Sequence, residues 1–275
     1  MKNESIFGEI IIDTIEDFND YIRKNFLHSL NKSELEHPIE LGLINLNPEE
    51  PYSFFRGQAK ESYELKSGLE RNIDNNGIKN ITSARFLAIQ IYYLEKCKKL
   101  FRGKFSEQSL LLSNEFDDEI WAIGQHFGLK TPLLDWSRSF WVALFFAFNE
   151  YEPDEKYRFV YHLNTFMNSD IKIIETKIDI GGRINAQKGV FTKYLYSQLL
   201  EINERHNNYR KKFPHANPNY LLTRIKINSI LRPNIMEFLS SININNSVLF
   251  PDITGAIRDC NLALHNIIQL ETLPD

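Results

Sequence analysis

From Trp121 to Ala147 the chain runs WAIGQHFGLKTPLLDWSRSFWVALFFA, an apolar stretch into which Gln125, His126, Thr131, Asp135, Ser137 and Arg138 are set. All three tryptophans of the protein, Trp121, Trp136 and Trp141, fall within it. Apolar side chains at this density must be buried, and a buried polar group left without a hydrogen-bond partner costs roughly 1 to 3 kcal/mol. The segment therefore holds either an internally paired polar network or one poised for a ligand. Its most apolar part, Phe140 to Phe148, is too short to cross a bilayer, which takes about 20 apolar residues.

At 275 residues and 43% hydrophobic composition the chain can bury a sizeable core. The expected organisation is an N-terminal helix and linker over residues 1–50, followed by one main domain over 51–275. A formal charge of -4 gives no global basic field, so its total charge suggests neither nucleic acid nor a membrane as a nonspecific partner. Cys97 and Cys260 are the only cysteines, in no pair or Cys/His spacing that would hold zinc, so no metal is expected. The start MKNESIFGEI lacks the basic and long apolar regions of a signal peptide, which leads us to expect a cytoplasmic protein without a membrane partner.

The hydrophobic pattern is mixed. Ile15, Phe18, Ile22 and Phe26 recur at helical spacing behind Thr14 and Asp17, a pair with capping-box form, and residues 29–51 read as a linker. Tyr52 to Gly57, Tyr157 to Leu163, Ile171 to Glu175 and Tyr220 to Ile227 read as strands. Ser83 is placed to cap a long helix whose Leu87, Ile91, Leu94, Cys97 and Phe101 share one face, with Lys96, Lys98, Lys99 and Arg102 forming a solvated basic end. A helix from Asp117 towards Gly128 and another from Ser137 or Ser139 to about Asn149 leave His126 and Asp135 flanking a tight connection. Arg232-Pro233 opens a helix reaching about Ser241. The expected fold class is α+β, a mixed or antiparallel sheet with packed helices.

Candidate site residues come from four short segments. Arg56, beside Gly57, could meet a phosphate or carboxylate while the glycine lets the backbone approach a ligand; equally, Arg56 could pair with Asp135 or Asp252. His126 could act as acid or base near neutral pH with Asp135 accepting its ring proton, or could tie the connection together as a core histidine. No Gly-x-Ser-x-Gly, Walker or Gly-x-Gly-x-x-Gly motif is present, which leaves an acyl-transfer hydrolase triad unsupported and removes the NTPase and Rossmann readings.

Phe55-Arg56-Gly57, then Gln125-His-Phe-Gly-Leu-Lys-Thr-Pro-Leu-Leu-Asp-Trp136 with Ala143 and Phe146-Ala147, resembles the FRG domain, named for its Phe-Arg-Gly triplet. The resemblance continues through Arg183 to Phe191, with Gln187 and Gly189, and through Leu249 to Gly255, with Asp252, so that it spans roughly residues 52 to 260. Position 132 departs from it, with Pro where the family more often has a basic or polar residue. The resemblance implies a bacterial or phage protein with an antiviral defence or toxin role, and by itself names no reaction.

The chain is also similar, more weakly, to the ADP-ribosyltransferase fold. That similarity implies NAD as cofactor, with Arg56 as the early gripping residue and Thr131 or Ser137 as the middle one. Gln187 stands where an acid is wanted, so Asp135 or Asp252 would have to supply the carboxylate. The resulting expectation makes His126, Asp135 and Gln187 the catalytic set, with Arg56, Gly57, Thr131, Trp136 and Asp252 holding a nucleotide-like small molecule in the same pocket. The alternatives are a noncatalytic module binding a nucleotide or a protein partner, and a metal-independent nuclease that uses His126, with the lysines near Lys98 holding a nucleic-acid target.

Overall fold

The computed structural model describes residues 7–27, 52–105, 107–166, 168–213 and 219–271. The expected linker over residues 29–51 lies outside the described residues. In chain order the elements are β1 (Gly8–Ile12), α1 (Ile15–Ile22), β2 (Ser53–Gln58), α2 (Gly68–Asn75), α3 (Ser83–Phe101), α4 (Asp117–His126), β3 (Leu134–Ser137), α5 (Phe140–Phe148) and β4 (Tyr157–Asn164). There follow α6 (Arg183–Ala186), β5 (Gly189–Thr192), α7 (Tyr196–Lys212), β6 (Leu222–Asn228), α8 (Arg232–Ser241), α9 (Asn246–Leu249) and α10 (Ile253–Glu271). The strands form one sheet in the order β1-β6-β4-β2-β3-β5. It is mixed, because β1 runs parallel to β6 whereas β4 is antiparallel to both β2 and β6, and with its packed helices it makes an α+β fold.

The chain divides into two compact units, one of residues 1–63, 137–169 and 203–244, the other of 64–136, 170–202 and 245–275.

In the first unit, Thr14 caps α1 as the spacing predicts: its hydroxyl accepts the Asp17 N–H at 3.1 Å, and the Asp17 carboxylate accepts the Thr14 N–H at 3.0 Å. Helix α5, FWVALFFAF, has no polar face and so must be covered all round. Ser139, not Ser137, caps it by accepting the Val142 N–H. Phe140 meets Phe26 at 4.9 Å and Phe55 at 5.7 Å between ring centroids. Arg158, only 1% exposed, donates to the carbonyls of Ala59 and Glu152, both at 2.8 Å. Arg232 donates to the Phe148 carbonyl at 3.0 Å, satisfying an acceptor in the last turn of α5 that has no partner within the helix. The segment before residue 50 thus supplies β1 to the sheet in addition to the expected helix.

The second unit is mainly helical. Leu94, Ile120, Trp121, Leu133, Ile174 and Phe191 form one core cluster, and Leu69, Ile73, Phe86 and Leu195 another. Five sequence expectations need correction here. Thr82 rather than Ser83 caps α3, accepting the Arg85 N–H. The covered face of α3 carries Phe86, Leu94, Cys97 and Lys98, while Leu87 and Ile91 are exposed. Lys98, expected at a solvated end, is buried, with its ammonium 2.7 Å from Asp117 and 2.9 Å from the Asn114 side-chain oxygen. Further on, Ile171 to Glu175 is no strand: it makes a single bridge, Ile174 to Phe191. Between α4 and α5 the chain forms β3 rather than only a turn.

Candidate functional site

Helix α4 ends at His126, and Gly128, with φ of 90°, reverses the chain behind it. The two other parts of the cluster come from the loop before α6 and the turn before α10. Gly181 and Gly182 both take positive φ, 77° and 73°, conformations that side-chain-bearing residues rarely adopt, and they bring the loop against His126. A Cβ on Gly181 would stand 3.5 Å from the His126 ring, and one on Gly182 would stand 3.4 Å from Pro251.

Arg183 follows this glycine pair. One of its terminal nitrogens lies 3.5 Å from an Asp252 oxygen, and the guanidinium sits 4.8 Å from the centre of the Phe250 ring. Its Nε is buried and has no hydrogen-bond partner. Arg258 packs over the same phenyl ring at 4.1 Å. Asp252 accepts the Thr254 N–H at 2.8 Å, and hydrogen bonding from Thr254 is the main reason its carboxyl titrates below the ordinary range. Asp179 accepts the N–H groups of Ile184 and Asn185 at 3.0 and 2.7 Å, which fixes the start of α6.

His126 titrates below its ordinary value. Burial is the larger cause and the Arg183 charge the next, with Asp252 and Asp179 opposing them. The imidazole is therefore mainly neutral at pH 7 and able to take a proton. Phe127 lies edge-on to it at 4.9 Å and is 70% exposed, an aromatic surface open to solvent.

The other expected residues of this unit take different roles. Asp135 accepts from the Gln125 amide, and the carboxylates that act on His126 are Asp252 and Asp179. Thr131 is buried, donating to the Gln125 oxygen and accepting the Leu133 N–H at 3.3 Å. Trp136 is buried too, and its indole N–H goes to Thr192 at 3.0 Å, so it presents no face to a ligand. Gln187 donates to the Leu249 carbonyl at 3.0 Å, anchoring the segment that leads to Asp252. The structure thus brings together His126 and Asp252, with Gln187 supporting the latter's loop, and places Asp135 and Thr131 in a separate hydrogen-bond chain through Gln125. Reasoning from sequence passed over Arg183 and Phe127; the Gly-Gly pair ahead of Arg183 was the signal that could have found the arginine.

Arg56 and Gly57 belong to the first unit. Arg56 stands opposite Tyr161 in register, Tyr161 opposite Arg224, and Arg224 opposite Glu9, so these four share one face of the sheet. Arg224 is paired with Glu9 at 2.5 Å, and burial raises the Tyr161 phenol above its ordinary range against the opposing influence of Arg224. Gly57, expected to admit a ligand, admits the backbone of α5 instead.

Among the described residues no group of three or more His, Cys, Asp or Glu is placed to hold a metal ion, and no helix is long and apolar enough to cross a membrane. Neither a search of curated proteins nor a search of solved structures returns a match. The family model for the FRG domain does match, over residues 52–156, a stretch that contains Arg56, His126 and Asp135 and stops short of Arg183 and Asp252. An FRG domain is present in this chain.

Proposed function

We propose that the protein binds a nucleotide-like, phosphate-bearing small molecule at the cluster of His126, Arg183 and Asp252. The observation that carries the reading is the incompletely used guanidinium of Arg183: its Nε lacks a partner, and its one carboxylate contact is as long as 3.5 Å. Such a fork gains most from a phosphate, which can accept two parallel N–H bonds. Exposed Phe127 offers a surface for a base to stack on, a role for which the sequence offered Trp136 or Phe55. NAD is the first ligand of this class to test. With it, the ribose–nicotinamide bond would break and nicotinamide leave as an attacking group bonds to the same ribose carbon; ionised Asp252 would supply the carboxylate that Gln187 lacks, and neutral His126 would accept the attacking group's proton. An effector role in antiviral defence or as a toxin belongs to the same proposal and rests on the FRG resemblance alone. The nuclease alternative is less favoured, because Lys98 is already engaged by Asp117 and Asn114.

Thermal unfolding with NAD, ADP-ribose or inorganic phosphate tests the proposal. A ligand at a hundred times its dissociation constant adds about 2.7 kcal/mol to the folded state, a shift of several degrees. The shift is expected in the wild type and in Arg56→Ala, and is expected to vanish in Arg183→Ala. If millimolar ligand moves no transition, or if Arg183→Ala leaves the shift intact, the proposal fails.

A further inference from the structure

Two arginines share one aromatic ring beside the cluster. The Phe250 phenyl, itself buried, has the Arg183 guanidinium 4.8 Å and the Arg258 guanidinium 4.1 Å from its centre. The second contact follows from the way α10 begins. A Cβ on Gly255 would stand 3.0 Å from the Phe250 Cβ and 2.6 Å from the Asn246 carbonyl oxygen, so the helix lies directly against that segment. Residues three apart fall on one side of a helix, and Arg258 is therefore placed to lay its side chain over the ring.

A guanidinium over a phenyl ring uses its face, which leaves the N–H groups at the edge of its plane for acceptors. The nearby carboxylates are taken by other donors. Asp259, next in the chain, accepts from the Asn246 amide at 2.9 Å and from the Ser247 N–H at 2.8 Å, and Asp252 accepts the Thr254 N–H at 2.8 Å. Among the described residues Arg258 makes no hydrogen bond or ion pair, and it is exposed. Because both guanidiniums are held to one ring, their separation cannot exceed the sum of the two distances from its centre. Two cations that close, with the 3.5 Å contact from Asp252 to Arg183 as their shared counter-charge among the described residues, leave an excess of positive charge.

We infer that Arg258 is a second phosphate-binding arm of this site and that the ligand carries two adjoining phosphates, an assignment that rests on the phosphate reading of Arg183 above. A single phosphate is matched by the fork of Arg183 alone. The neighbouring phosphate of a diphosphate ester lies within the span of two forks tied to one ring, and it brings the second negative charge that Arg258 lacks. The ligand class is accordingly narrowed from any phosphate-bearing nucleotide to one with a diphosphate, and α10 becomes part of the site through Arg258.

Calorimetric titration of the full chain with AMP and with ADP-ribose tests this, since each carries about two negative charges near pH 7 and only the second has a diphosphate. The wild type is expected to bind ADP-ribose roughly tenfold or more tightly than AMP. Arg258→Ala is expected to remove that advantage while leaving AMP binding within about twofold of the wild type, which also reports that the substituted chain is folded. If the wild type binds the two ligands alike, or if Arg258→Ala spares ADP-ribose or weakens both ligands equally, the second arm is refuted and the Arg183 site stands. If neither ligand binds, or if Arg183→Ala binds both as the wild type does, the phosphate reading of the cluster falls and Arg258 falls with it.

Discussion

Gly57 on β2 lies so close to Ala143 on α5 that a Cβ at position 57 would stand 1.9 Å from the Ala143 carbonyl oxygen and 2.6 Å from the Ala147 nitrogen. Both are backbone atoms of a buried helix and have nowhere to move. Gly57→Ala is expected to destabilise the fold by about 3 kcal/mol or more, measured by denaturant unfolding. Gly68→Ala is the control: its nearest foreign atom would be 3.7 Å away, so it should be neutral or stabilising by up to about 1 kcal/mol. Equal effects of the two substitutions would refute the packing account.

His162 stacks on Phe55 with ring centroids 4.7 Å apart and meets the Ser53 hydroxyl at 3.0 Å. Burial lowers its pKa to about 4 from the ordinary 6.5. A base depressed in the folded state contributes stability that is present above 6.5 and lost as pH falls from there towards 4. Relative to His162→Gln, the wild type should lose on the order of 2 kcal/mol between pH 7 and 4.5. Parallel pH profiles for the two proteins would show that the ring is not held neutral.

Glu70 presents the opposite case. Both its carboxylate oxygens accept the Tyr196 N–H, at 3.1 and 3.2 Å, at the start of α7, and burial raises its pKa to about 7. An acid raised in the folded state favours folding below its unfolded value of 4.5, and that contribution is lost as pH climbs to 7. Glu70→Gln keeps an acceptor for the N–H but carries no charge, so its stability relative to the wild type should rise across that window. Chemical unfolding at pH 4.5 and pH 8 measures the difference, and a constant offset would contradict it.

Lys98, buried on α3, lies 2.7 Å from Asp117 on α4, whose side chain is half-buried. Lys98→Met leaves the half-buried carboxylate without its cation and is expected to cost roughly 1 to 2 kcal/mol, whereas Lys98→Met with Asp117→Asn should recover much of that loss. Additive losses in this double-mutant cycle would mean that the two residues do not interact.

Arg183 is one of the groups that hold His126 below its ordinary pKa. Arg183→Ala should therefore raise the His126 titration midpoint, followed by the NMR shift of its ring proton, while Asp252→Asn should lower it further. A midpoint that ignores both substitutions would place the two residues too far away to matter.

Features that depend on near neighbours along the chain are legible in the sequence alone. The Thr14 and Asp17 capping box, the strands at β2, β4 and β6, and the helix entered through Arg232-Pro233 rest on periodicity and local hydrogen bonds within a few residues, and all are present. The candidacy of His126 and Asp252 is legible in the same way, since both stand out as polar groups in otherwise apolar segments. What packs against what is not. Leu87 and Lys98 lie on the same long helix, yet the leucine is exposed and the lysine buried: Phe86 and Leu94 set the covered side of α3 by packing into the core clusters, and Lys98, on that side, finds its partner in Asp117. Strand β1 escapes notice because its partner is β6, more than 200 residues away, and a five-residue segment with three isoleucines gives no sign of so distant a pairing. In sequence Arg183 only opens one of the four candidate segments, with no role of its own. Only the tertiary fold, by bending the chain through Gly181 and Gly182, puts its charge beside His126 and Asp252, because electrostatic influence depends on distance through space and not on separation along the chain.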